Sequence, residues 1–374
     1  MNPEKTESLS LALCGDVMTG RGIDQILPHP SDPVLHEDYV RDAFEYVGLA
    51  VHANGPIPFP VDVDYVWGDA LPELLRADAR IVNLETSITR SDEHWPNKGI
   101  HYRMHPQNVG CLTAARIDCC GLANNHVLDW GYDGLAETLR TLDVARIAHP
   151  GAARNMSEAA SPAVLDFGAK GRVLVLALGL PTSGILGSWA ATAMKAGVHY
   201  LEKLSVEAAD RIAHDLLRIT RPHDITIVSI HWGGNWGYKI SDAHVAFAHR
   251  LVDAGVDIVH GHSSHHPQAI EIRRSGLILY GCGDFLNDYE GISGHEEYRG
   301  DLTILYRVTI VPEPRRLAVV RLIPMQLRRF RLNRASSEDA RWLHRVLQRE
   351  CARFSTDVRW EGDALNSFRV VGAA

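Results

Sequence analysis

At 374 residues the chain can bury a large core, and 45% apolar with 22% charged residues is the composition of a globular protein. A formal charge of −8 excludes the basic footprint of general nucleic-acid binding. The six cysteines form no C-x-x-C pair, which argues against thiolate-held zinc and for reduced, buried thiols in a cytoplasmic protein.

The N-terminal "MNPEKTESLS" has no apolar signal-peptide core, and the longest apolar run, "VLVLALGL" from Val173, is far shorter than the roughly 20 residues of a membrane span. No membrane partner is expected. "LSLALCGD" reads as a strand ending at Asp16. A long insertion over 27–68, rich in prolines and aromatics, interrupts the first crossover. "ARIVNLE" is a second strand, ending at Glu85. The polar loop 92–105 follows, with Trp95, Tyr102 and Arg103, and then "DCCGLANNH", which ends in Asn125 and His126.

Helical periodicity begins at 131–145, where Leu135, Leu139 and Leu142 share a stripe, and returns at 205–220 with Ile212, Leu216 and Ile219. "DITIVSIHWG" delivers His231, and Trp236 and Tyr238 come directly after it. A helix over 242–255 precedes "DIVHGHSSH", with His262 and His265, and "LILYGCGDF", with Asp284. A polar loop then carries His295. Beyond residue 300 two consecutive strands read as antiparallel, a basic cluster (Arg328, Arg329, Arg331, Arg334) reads as a solvated strand face, and 336–354 reads as a helix capped by Ser336 or Ser337. The expected organisation is one domain over 1–374, with a core at 9–310 and 311–374 appended. Oligomeric state has no signature in the chain.

Six apolar runs thus end in a residue able to bind metal or move protons. Alternating strands and helices imply an α/β layered fold, whose ligands gather outside the carboxyl ends of the strands. Polar groups delivered there by separate strands converge on one site.

Those motifs ("GDVM", "NLET", "LANNHVLDWGYDGL", "HWGGNWGY", "GHSSHHPQAIE" and "YGCGDFLND") resemble the CapA-like branch, tied to poly-γ-glutamate biosynthesis, of the calcineurin-like metallophosphoesterase superfamily. The resemblance implies a calcineurin-like four-layer α/β/β/α sandwich with a metal site at the strand C-terminal ends. It implies metal ligation by Asp16, Glu85, Asn125, His231, His262 and His265. His126 matches the superfamily's substrate-contacting histidine, with Asp129 placed to hold its ring in one tautomer. The implied cofactor is a divalent ion (Ca²⁺, Mn²⁺ or Mg²⁺, one or two per chain) with no organic cofactor. His260 and His266 are expected to pack or to support ligands.

Three departures bear on the chemistry. Met18 stands where the superfamily has a histidine ligand, Glu85 replaces a bridging aspartate, and "GHSSHH" is looser than Gly-His-x-His. A weakened two-metal site frees groups for proton transfer. One lineage of this branch, in lasso-peptide biosynthesis, resembles the chain and implies epimerisation of the C-terminal residue of a ribosomal precursor peptide. In that reading His126 with Asp129, and His295 paired with Asp16 or Asp284, exchange the α-proton. Trp95, Tyr102, Arg103, Trp236 and Tyr238 then supply aromatic and cationic walls for the peptide. The alternative is a two-metal hydrolase of a phosphoester or γ-glutamyl amide. A third reading is a non-catalytic polymer-binding member.

Overall fold

The computed structural model describes residues 8–312 and 315–372. In chain order the principal strands begin with β1 (Leu9–Val17), β2 (Ala79–Leu84), β3 (Cys119–Gly121), β4 (Ala163–Asp166) and β5 (Arg172–Gly179). They continue with β6 (Ile225–His231), β7 (Ile258–His262), β8 (Ile270–Arg273), β9 (Gly276–Leu279) and β10 (Asp284–Leu286). The last are β11 (Leu302–Pro312), β12 (Arg315–Leu327), β13 (Leu332–Arg334), β14 (Asp357–Trp360) and β15 (Phe368–Val371). The main helices are α1 (Phe44–Asn54), α2 (Gly131–Ala145), α3 (Val206–Leu217), α4 (Asp242–Ala254) and α5 (Ser337–Ala352).

Two sheets form. The first runs β14–β15–β12–β11–β1–β2–β3, with β10 also on β1 and β13 on β12; the second runs β8–β9–β7–β6–β5–β4. The pleat decides what each face buries. Leu9, Leu11 and Leu13 of β1 meet Val173, Val175, Ile225, Ile227 and Ile258 in a core between the sheets. Their neighbours Ala12 and Cys14 point the other way, into a core shared with α2 through Leu135, Leu139 and Leu142. On the outer face of the second sheet, Leu174, Leu176, Val228 and Ile230 pack on α3 and α4. The order of layers is therefore α/β/β/α, as the motif resemblance implied.

The periodic helices form close to their expected bounds. Ser205 and Ser241 cap α3 and α4, and of the two candidates for α5 it is Ser336 that accepts the Asp339 N–H. Residues past 310 continue the first sheet: β12 pairs antiparallel with β11 along its length, and Leu343 and Leu347 of α5 join the inter-sheet core. All six cysteines are buried and free. Among the described residues no helix is long and apolar enough to cross a membrane.

Candidate functional site

Strand register sets the site. Asp16 at the end of β1 lies opposite Asn83 of β2 on one side and Asp284 of β10 on the other. His231 and His262 lie opposite each other at the ends of β6 and β7. The close approach of β10 needs a glycine. A Cβ on Gly15 would sit 1.7 Å from the Gly283 carbonyl oxygen. Two rows of polar groups, one per sheet, therefore face each other at the carboxyl edge of the sandwich.

Asn83, not anticipated from the sequence, ties the rows together. Its amide donates to Asp16 Oδ1 (2.7 Å) and Glu85 Oε2 (3.3 Å), and stands 3.5 Å from His231 Nδ1. The available signal was the period of two that puts Asn83 and Glu85 on one face of the strand. Asn124 then donates to Asn83 Oδ1 at 3.1 Å. Asn125 Oδ1 accepts from His231 Nε2 at 2.8 Å, while His231 Nδ1 and His262 Nδ1 are 2.8 Å apart. Ser229 meets His262 Nε2 at 2.8 Å. His260 Nε2 donates to the Cys14 carbonyl at 2.8 Å, a supporting bond between the sheets.

The cluster is buried and rich in acids. Asp16, His231 and His262 each offer a ligand atom within 4.8 Å of the others'. Burial, then the neighbouring Asp284, pushes the Asp16 carboxyl up to about 7. Burial, Asp16 and Asp284 raise Glu85 as well. Burial holds both His231 and His262 well below the ordinary imidazole range. No lysine or arginine pairs with Asp16 or Glu85 among the described residues. Buried carboxylates with no lysine or arginine partner among the described residues, beside neutral imidazoles, are a donor set suited to a divalent cation.

Beside this core stand two dyads. His126 Nδ1 donates to Asp129 Oδ2 at 2.7 Å, and its Nε2 looks toward Glu85 Oε1 at 3.7 Å. Lys98, from a loop without periodicity, pairs with Asp129 Oδ1 at 2.8 Å and lies 3.0 Å from His126 Nδ1. Burial keeps His126 down at about 4. Burial works to raise Asp129, but His126 and Lys98 outweigh it and hold the carboxyl low. On the other flank His265 Nδ1 donates to Asp284 Oδ1 at 2.9 Å, and Asn287 donates to Asp284 Oδ2 at 2.8 Å. Burial opposes a charged His265, yet Asp284 wins and raises it. Met18 is fully buried, with the Tyr289 hydroxyl 3.5 Å from its sulfur.

The outlying expectations fare differently. His295 does not pair with Asp16 or Asp284, because Asp284 takes His265 and His295 is exposed, stacked on Trp236 with centroids 4.1 Å apart. Arg103 is no open wall: it stacks on Trp130 and donates to Asp92 and to backbone carbonyls. Tyr102 is buried, its hydroxyl 2.9 Å from that of Tyr289. Trp95 packs edge-on against Trp189, and Tyr238 against His266. Trp236 does face open space, as one wall of a cavity of about 500 Å³ that shares His265 and Tyr289 with the cluster's flank.

Residues 10–289 match the family model described as bacterial capsule synthesis protein PGA_cap. A probable polyglutamine synthesis accessory protein of Mycobacterium tuberculosis is 47% identical over 369 residues, which is 98% of this chain and 97% of that protein. Capsule biosynthesis protein CapA of Bacillus anthracis is 26% identical over 288 residues, 76% of this chain and 61% of CapA. Among solved structures, a novel phosphatase of Mycoplasma pneumoniae aligns at 14% identity over 86% of this chain and 94% of that one, with a TM-score of 0.44. The chain belongs to the bacterial capsule synthesis protein (PGA_cap) family.

Proposed function

We propose that the chain is a metal-dependent hydrolase that cleaves amide bonds in a γ-linked glutamate polymer. The observation that carries this reading is the convergence of Asp16, His231 and His262, three buried ligand groups from three strands and both sheets, within 4.8 Å. The relatives named for polyglutamine synthesis and for capsule biosynthesis support a polymer over a ribosomal precursor peptide. Epimerisation is not carried forward. It called for His295 paired with Asp16 or Asp284, whereas Asp284 takes His265 and His295 lies exposed on Trp236.

Asp16, Glu85, Asn125, His231 and His262 would hold the cation, with His265 at its edge. A divalent ion there supplies Lewis-acid polarisation of the scissile carbonyl and a more acidic water. The remaining chemistry belongs to side chains. The bond from His126 Nδ1 to Asp129 fixes the tautomer, so the Nε2 lone pair faces the cluster. His126 is neutral at pH 7, as its low pKa requires. It accepts one proton at Nε2 from the attacking water as the new C–O bond forms. It returns that proton to the leaving nitrogen as the C–N bond breaks. Lys98 neutralises Asp129 and keeps the pair in place.

The test is incubation of the full chain, loaded with Mn²⁺, with a γ-linked glutamate oligomer in ¹⁸O-water. Shortened products carrying one ¹⁸O, lost on chelation and in His126→Ala, are expected. An intact oligomer across Mn²⁺, Mg²⁺, Ca²⁺ and Zn²⁺ overturns the reading. So does cleavage of phosphate esters alone, or deuterium entering Cα without cleavage in D₂O.

A further inference from the structure

The cavity beside His265 has no part in the hydrolytic steps above, yet its walls are built for a ligand. We infer that it seats the acidic end of an oligomeric substrate, with the Trp236–His295 stack as its shelf and Arg328 as its anion contact. The polymer's identity rests on the proposed hydrolase; the anionic, chain-like class of ligand rests on the cavity itself.

All but one of the charged side chains on the walls are already engaged by other groups among the described residues. Every carboxylate lining the cavity already has partners. Asp301 is held by Arg299 at 2.7 Å and by Gln326 at 3.0 Å. Glu290 takes the Asn54 amide at 2.6 Å and the Arg329 and Phe330 backbone N–H groups. Glu296 accepts the Gly294 N–H at 3.0 Å. Of the lining arginines, Arg21 is locked between Glu37 and Asp288, and Arg299 also reaches Asp339. Arg328 lines the cavity, is exposed, and makes no side-chain ion pair among the described residues. A chain of net charge −8 repels polyanions in general, so admitting one takes a local cation of this kind.

His295 lies nearly parallel to the Trp236 indole, 18° between planes, and its ring makes no hydrogen bond among the described residues. The exposed face of this stack accepts the planar amides of an extended chain, while a guanidinium fork takes a carboxylate at two points. About 500 Å³ falls in the range that encloses a small ligand. The cavity therefore suits a chain end a few units long, delivered to the cluster past His265.

Calorimetric titration of the full chain with γ-linked glutamate oligomers of one to eight units tests this, with and without chelator. Affinity is expected to rise over the first few units and then level off, to persist in chelator, and to weaken with salt. Arg328→Glu should weaken binding of the tetramer at least tenfold with an unchanged melting temperature. Trp236→Ala should do the same, whereas Arg154→Glu, a charge reversal outside the cavity, should not. Equal binding by wild type and Arg328→Glu, or no tetramer binding by wild type, overturns the inference. If the binding pattern holds but no cation brings about cleavage, the hydrolase reading fails while the seat for an acidic chain stands.

Discussion

Asp16→Asn should stabilise the metal-free protein above pH 7 and abolish its stabilisation by metal. The Asp16 carboxyl is fully buried and lifted from 3.8 to about 7, chiefly by burial and secondarily by Asp284. Its raised pKa means that the folded state binds the extra proton. The cost therefore grows as pH rises from 3.8 and is complete above about 7. Fully ionised, the group costs the fold about 4 kcal/mol. Asparagine removes that charge but retains one acceptor, so of the two donors now on Asp16, Asn83 and the Ser263 N–H, one loses its partner. That loss costs about 2 kcal/mol, leaving a net gain of about 2 kcal/mol. With an unfolding entropy of about 0.8 kcal/mol/K for 374 residues, the variant should melt about 2–3 °C above wild type at pH 8.5 in chelator. The gain should shrink as pH falls toward 5. Mn²⁺ at a hundred times its dissociation constant should add about 2.7 kcal/mol, or about 3 °C, to wild type and nothing to the variant. Differential scanning calorimetry at the two pH values, with and without Mn²⁺, reads all four melting temperatures. A variant that melts below wild type at pH 8.5 in chelator, or one that keeps the full metal shift, would refute the placement of an uncompensated carboxylate at the centre of the cluster.

Lys98→Ala leaves Asp129 buried without its lysine, so a stability loss of about 3 kcal/mol is expected, measured by urea denaturation. On the proposed substrate kcat should fall about tenfold while metal affinity is kept, and Lys98→Arg should restore part of it; an unchanged kcat contradicts the role of Lys98 at His126. Gly15→Ala places a methyl 1.7 Å from a neighbouring carbonyl that cannot retreat, for a loss above about 4 kcal/mol; a melting temperature within two degrees of wild type would mean that β1 and β10 are not so close. His36, His94 and His101 pack ring to ring, with His36 and His94 stacked at 3.8 Å. Burial, then its histidine neighbours and Arg103 and Arg41, lowers His36; burial, with Lys98 and His94, lowers His101 against the pull of Asp129. The unfolded chain therefore takes up these protons first, and stability should fall as pH drops below about 6.5. His36→Asn should flatten the melting-temperature profile between pH 7 and 5, and an identical slope would remove His36 from the account.

Much of the fold was legible because the signals are local. Strand ends announce themselves as apolar, β-branched runs broken by a carboxylate, amide or imidazole, α2, α3 and α4 by their helical periodicity, and α5 by its serine cap. Asp16, Glu85, Asn125, His231 and His262 could be named before any coordinates, since each closes such a run or follows it directly. Asn83 stands as one polar residue inside an apolar strand, and only its spacing to Glu85 hints at a shared face. Lys98 had no such clue: it lies in a loop whose path follows from packing against Asp129, not from any pattern. Arg103 shows the converse, since it is buried and engaged where an open cationic wall is expected. A cation among aromatics in a loop reads the same whether it faces a ligand or, as here, a buried indole.

The chain's own pattern determined which groups stand at the strand ends, because alternation and helical period are properties of neighbouring residues. Only the packing of one sheet on the other decided which of those groups meet. Asn83 reaches a histidine 148 positions away, His265 rather than His295 takes Asp284, and Arg328 is left without a carboxylate among the described residues. Those outcomes depend on distances of a few ångströms across the sandwich and on charge neutralisation within a buried cluster. Neither quantity is written in the order of residues along a strand.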